Sequence, residues 1–326
     1  MDADAGLQNA DAVLQNAEIW ATSPSNSART VLVTVLGDTI TPLAHSLENE
    51  AVWLGDLAAM VEVFGFNERL VRTSISRLAA DGWISSERVG RRSRYRLTAY
   101  GNRETRQAER RIYGPLPQSA AEAWRLVFAG PEGSDPLTTH LRWRGFAEIS
   151  AGVWAHPEPI ELNDEDRRLA DPFPATAIAR FDQPSMLALS DTFRRSTGLD
   201  QTEAAYHDFL EVYGPLARFP PDTGQADPGQ DDTGQADTCR AAFALRTMLV
   251  HDYRRIRLAE PDLGTDVLGP DWIGRTARTL VSTTYRRLAV ASWSFITSIT
   301  GASAPIDTRR FPDFTSVPTS PDLSPL

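Results

Sequence analysis

Asn67-Glu68-Arg69-Leu70-Val71-Arg72-Thr73-Ser74-Ile75-Ser76-Arg77-Leu78-Ala79-Ala80-Asp81-Gly82-Trp83 is the stretch on which the fold turns. Val71, Ile75, Leu78 and Ala79 recur at the three-to-four spacing of a buried helical face. Arg69, Arg72, Thr73, Ser76 and Arg77 fall on the opposite face. Asn67 is a helix cap and Asp81-Gly82 a stop, so the spacing predicts a helix over 68–80. The sequence then switches period. Residues 83–89 read as a strand, Gly90-Arg91-Arg92 as a turn, and 93–97 as the return strand. Thr98 caps a further helix over 99–113.

Upstream, Ser27 caps an apolar run through Val31, Leu32 and Val35, and Val52-Trp53-Leu54 is a short β-type run. Asp56 opens a helix carrying Leu57, Met60, Val61 and Phe64 on one side, and Gly65 closes it. The order helix, short strand, helix, turn, helix, hairpin is that of a winged helix-turn-helix. The residues suit that task. The major groove admits one helix and displays base-edge acceptors that arginine, threonine and serine can reach. Arg91, Arg92 and Arg94 at the hairpin give a cationic wing for backbone phosphates.

Charge sharpens the reading. The chain has 326 residues and a formal net charge of −10, which excludes a uniformly basic nucleic-acid coat. All 33 cations are arginine, since the sequence contains no lysine. Residues 67–113 nevertheless hold 12 arginines against 5 acidic residues, net +7. A solvated helical face is the ordinary meaning of an arginine cluster. Its concentration on one helix and one hairpin of an acidic chain favours a nucleic-acid face instead.

These residues resemble a known family, the PaaX-type transcriptional repressors that regulate phenylacetate degradation. Residues 69–83 are similar to its recognition helix, and Gly90-Arg91-Arg92-Ser93-Arg94-Tyr95-Arg96-Leu97-Thr98 with Gly101 to its wing. Gly145-Phe146 followed by Gly152-Val153-Trp154-Ala155-His156-Pro157 resembles its central segment. His251-Asp252-Tyr253-Arg254-Arg255, then Gly269-Pro270-Asp271-Trp272-Ile273-Gly274, resembles its C-terminal part. The resemblance spans about residues 28–300. It implies an α+β, multidomain chain: a winged helix-turn-helix, then a ferredoxin-like α+β domain, then a helical C-terminal domain used for dimerisation. It also implies a homodimeric repressor of a catabolic operon, bound to a pseudo-palindromic operator on double-stranded DNA and released by an aryl- or acyl-CoA thioester.

Boundaries follow from composition. Residues 1–27 carry four acids and no base and read as a flexible acidic arm, with a short amphipathic helix around 13–20 as its one ordered element. The winged-helix domain takes 28–115, the ferredoxin-like domain 116–183 and the helical domain 184–302. Inside the last, 220–238 repeats Asp-Thr-Gly-Gln-Ala-Asp and reads as a disordered acidic loop, with Cys239 exposed at its edge. The proline-rich 303–326 reads as a disordered tail. The predicted last helix, 272–299, is apolar on several sides, which means either the centre of the core or a dimer seam.

A thioester effector needs cations for its phosphates and an apolar slot for its acyl end. Arg142, Trp143 and Arg144, and Tyr253, Arg254 and Arg255, combine both, although interdomain salt bridges use the same residue types. The five histidines lie 16 or more residues apart without paired ligand spacing, so no metal is expected. No cofactor is expected either, because no Walker A, dinucleotide fingerprint or nucleophile elbow occurs; an enzyme is therefore not indicated. One cysteine and no membrane-length apolar run suggest a cytoplasmic protein. The rival reading is a winged helix retained as a protein-docking surface without specific DNA binding.

Overall fold

The computed structural model describes residues 10–40, 51–117, 123–130, 135–162, 164–218, 232–302 and 310–311. It is a mixed helical and antiparallel-sheet structure, α+β as the sequence predicts.

Helix α1 (Ala10–Ala21) precedes α2 (Ala28–Val35), which runs on into a wider turn, Leu36–Ile40. Strand β1 is Val52–Trp53 and α3 is Leu54–Val61. Gly65, at φ 75°, ends the short turn after α3 in the left-handed conformation that glycine adopts without strain. Helix α4 (Glu68–Ala80) follows, then strands β2 (Ile84–Val89) and β3 (Arg92–Leu97), then α5 (Ala99–Tyr113). β1, β3 and β2 form one antiparallel sheet in that order, with Val52 opposite Tyr95 and Ile84 opposite Leu97.

The second layer is β4 (Trp124–Phe128), α6 (Asp135–Trp143), β5 (Ala147–Ser150), β6 (Val153–His156), α7 (Asp164–Arg168) and β7 (Ala175–Ala179). Its four strands are all antiparallel, ordered β5-β6-β4-β7. Alternation along β4 divides the sheet in two. Val127 joins Leu137, Leu141, Phe146 and Trp154 in a core of its own, while Trp124 stacks on Phe193 at 5.4 Å on the helical side.

The rest is helical: α8 (Gln183–Thr197), α9 (Leu199–Tyr213), α10 (Asp232–Ala259), the short α11 (Thr265–Leu268) and α12 (Ile273–Thr300). α10 is the spine. Its Ala241, Phe243, Leu245, Leu249 and Tyr253 are all but inaccessible, and α1, α9 and α12 pack along it. Val31, Leu57 and Phe64 belong to the same continuous core as Phe243 and Val281, so the helices around α4 rest directly on the C-terminal ones. Tyr285, Leu288 and Ile296 of α12 are buried within the chain, which settles the several-sided helix mainly as a core element.

Four expectations are corrected. The acidic arm is docked over residues 10–27: the helix expected around 13–20 is α1, which buries Val13 and Ala17 against α10, and its Trp20 indole donates to Asp252 at 2.9 Å. Of the acidic repeat, residues 232–238 are the first two turns of α10, while 219–231 lie outside the described residues. Cys239 is therefore buried on that helix, not exposed. In the tail, Arg310 reaches Asp38 and Glu109, and Phe311 is buried against Tyr113 and Tyr285. The other tail residues after 302 lie outside the described ones.

Candidate nucleic-acid interface

α4 sits where its sequence pattern puts it. Asn67 accepts a hydrogen bond from the Leu70 amide at 3.0 Å and caps the helix. Val71, Ser74, Ile75 and Leu78 face the core, and α2 and α3 support that side. Arg69, Arg72, Thr73, Ser76 and Arg77 are all exposed. Arg72 meets Glu68 at 2.5 Å, a helical pair with both side chains more than half exposed, so solvent weakens it. Arg29 at the start of α2 contacts Asp81 at 2.5 Å and fixes the far end of α4.

The hairpin is organised by two residues. Glu87 accepts from Arg94 at 3.0 Å and from Arg96 at 2.8 Å across the strand pair, and its hydrogen bonds with Arg94 lead in holding its carboxyl below the usual glutamate range. Trp53 lies under Arg92, whose guanidinium carbon is 4.3 Å from the ring centroid. Arg91 and Arg92 are exposed; Arg94 is half-buried by its pairing. Of the eight residues expected to face nucleic acid, seven are thus exposed and one is engaged within the hairpin. Trp53 and Glu87 were not singled out in the sequence. The signal was present in cross-strand neighbours, visible once the register is known.

α5 leaves this unit and is fastened at both ends. At its start Thr98 donates to the Gly82 carbonyl at 2.5 Å, and a Cβ at Gly101 would lie 2.1 Å from the Trp83 carbonyl oxygen. At its end Arg278 of α12 donates to the carbonyls of Ile112 (3.3 Å) and Tyr113 (2.9 Å), supplying donors that a helix terminus lacks. Arg111 is buried, donates to the Trp143 carbonyl at 2.9 Å and pairs with Asp262 at 3.2 Å.

A cavity of about 480 Å³ opens beside Arg111, between α5, the four-stranded layer and the end of α10. Arg103 and Arg110 are exposed at it, while Arg144 and His140 meet within it on the buried Asp166. The six residues expected at an effector site do not converge there. Arg144 lines the cavity. Arg142 is exposed over the Trp154 ring, and the Trp143 carbonyl holds Arg111. Arg255 lies by a second cavity of about 650 Å³ with Trp20 and Val212. Tyr253 and Arg254 are corrected to structural residues: Tyr253 is fully buried near Tyr206 and Phe209, and Arg254 donates to the Thr30 carbonyl at 3.0 Å. The same motif's His251 meets Thr34 at 2.9 Å. His251 and Arg254 thus tie α10 to α2, and Asp252 ties it to α1 and to Tyr213 of α9, which a linear motif does not reveal.

Comparisons with known proteins bear on this arrangement. Residues 27–101, which include α4 and the hairpin, match the family described as PaaX-like protein, and residues 198–298 match the PaaX-like protein C-terminal domain. The transcriptional repressor PaaX of Escherichia coli strain K12 is 33% identical over 255 residues, covering 75% of this chain and 77% of that one. The chain belongs to the PaaX-like family. The two PaaX-like matches lie on either side of the four-stranded layer. Among solved structures, the uncharacterized protein Rv0674 from Mycobacterium tuberculosis aligns with a TM-score of 0.45 at 19% identity, over 80% of this chain and 94% of that one.

Proposed function

We propose that this PaaX-like chain is a DNA-binding transcriptional repressor whose α4 enters the major groove. In this reading α2 to α5 with the β1-β3-β2 sheet are a winged helix-turn-helix, and the βαββαβ layer is ferredoxin-like. One observation carries the proposal: Arg69, Arg72, Thr73, Ser76 and Arg77 are all exposed on one side of a helix whose other side is core. Arg91 and Arg92 join them at the hairpin tip as phosphate contacts, and Arg94 becomes available when it leaves Glu87. A base-contacting arginine contributes about 1–3 kcal/mol of discrimination. Gel-shift titration over a salt series tests this. The Arg69→Ala/Arg72→Ala/Arg77→Ala protein is expected to lose specific binding, and unchanged operator affinity would remove the proposal.

A homodimer on a pseudo-palindromic operator follows from the short reach of one helix, since two half-sites lie about 34 Å apart. We further propose that an aryl- or acyl-CoA thioester releases the DNA from the cavity beside α5. Its arginines suit phosphate groups, and α5 is continuous with the hairpin. Such an ester is expected to raise the melting temperature and weaken the gel-shifted complex. A screen of esters in which none changes either quantity would remove the thioester.

A further inference from the structure

α4 carries four large aliphatic side chains. Val71, Ile75 and Leu78 are 0–1% exposed, but Leu70 is 47% exposed. A scattered surface leucine has no meaning by itself. This one stands in the first turn of the helix, whose N-terminal residues are the ones that approach base edges in a helix docked in the major groove. Thr73 and Arg77 follow at i+3 and i+7, so the three share one stripe of the exposed surface. The Thr73 hydroxyl donates its one proton to the Arg69 carbonyl at 2.9 Å, so toward a partner it can only accept. Its methyl is the apolar part it offers. The middle of a cationic face thus holds two adjoining apolar groups, flanked by Arg69 and Arg77.

Phosphates and guanine edges offer nothing for such groups to bury. The major-groove edges of the four bases carry a single apolar substituent, the 5-methyl of thymine. We infer that Leu70 and the methyl of Thr73 form a thymine-reading patch, which makes Leu70 a specificity-determining residue of α4. Arg77, next on the stripe, falls over the neighbouring base. The inference rests on the proposed entry of α4 into the major groove and adds which base it selects.

Substitution of uracil for thymine removes the methyl and leaves pairing and hydrogen-bonding edges intact. Leu70→Ala removes the apolar partner at an exposed helix position where alanine is favoured, and Thr73→Ser removes the methyl while keeping the hydroxyl. Duplexes are first selected from a random library by the full-length protein. Each thymine of the selected half-site is then replaced by uracil, and affinities are measured for the three proteins. The unsubstituted protein is expected to lose about fourfold at one or two thymines, the value of one buried methyl. Leu70→Ala is expected to bind the thymine and uracil forms alike at one of them, and Thr73→Ser to show a reduced difference. A selected site whose uracil series affects all three proteins equally overturns the thymine patch and leaves the groove reading standing. Failure to enrich any sequence over random duplex overturns both.

Discussion

His251 illustrates how a single buried residue sets a condition on the whole fold. Burial first, then the positive charges of Arg254 and Arg255, push its pKa down to about 3, so the folded protein holds it neutral. The unfolded chain binds a proton near the ordinary histidine value of about 6.5. The folded pKa is the lower one, so the neutral histidine's contribution is intact above about pH 6.5 and is lost progressively as pH falls toward 3. Between pH 7.5 and 5 this amounts to about 2 kcal/mol. Urea titrations at the two pH values should show that loss in the native protein, over and above the change in His251→Gln. Equal pH dependence in the two proteins would refute the assignment. The residue scale is also where local pattern says least. Tyr253 and Arg254 look like ligand groups in a string of polar residues, yet Tyr253 packs on Tyr206 and Phe209 of another helix, and the Thr30 carbonyl that Arg254 reaches lies 224 positions away. No local pattern encodes a contact at that range.

Elements were more legible. α4 and its hairpin followed from a period of 3–4 giving way to alternation, with Asn67 and Thr98 as caps, and both caps accept the expected backbone hydrogen bond. For α1 the helix is legible, around 13–20, but its docking is not, because its burial depends on α10. Ala10–Ala21 carries Val13 and Ala17 on a face that is useful only against a partner helix distant in sequence. Within the hairpin, Glu87 pairs with Arg94, which the proposed function gives to phosphates, and with its strand neighbour Arg96. Glu87→Gln should therefore free Arg94 and Arg96. Binding to non-operator duplex is expected to tighten, and the slope of log affinity against log salt to steepen by about 1–2, because more phosphates are neutralised. An unaltered salt slope would mean that these arginines do not meet the backbone.

At the scale of the molecule, one carboxylate gathers the chain. Asp38, at the end of α2, accepts from Tyr113 of α5 (2.6 Å), Arg246 of α10 (2.7 Å), Tyr285 of α12 (3.0 Å) and Arg310 (3.3 Å). Burial opposes its charge, but Arg246 and Arg310 together with these hydrogen bonds outweigh that and hold its pKa below the usual aspartate value. Asp38→Asn keeps the shape and strands Arg246 as a buried cation. Removing one member of such a pair costs about 3–5 kcal/mol. The expected result is a denaturation midpoint lowered as one cooperative transition by all probes. A stability change below about 1 kcal/mol would mean that Arg246 finds another anion. The core around Asp38 joins residues from Val13 to Phe311, while the four-stranded layer keeps its second core around Val127 and Trp154.

The exposed side of α4 and the hairpin draws all its positive charge from guanidinium groups. A guanidinium stays protonated at every pH a cell reaches, and lysine acetyltransferases find no substrate on it. Tuning by erasing lysine charges, open to many nucleic-acid binders, has no purchase on this surface. On this surface the positive charge is fixed, and what can vary is the negative charge or salt brought to it.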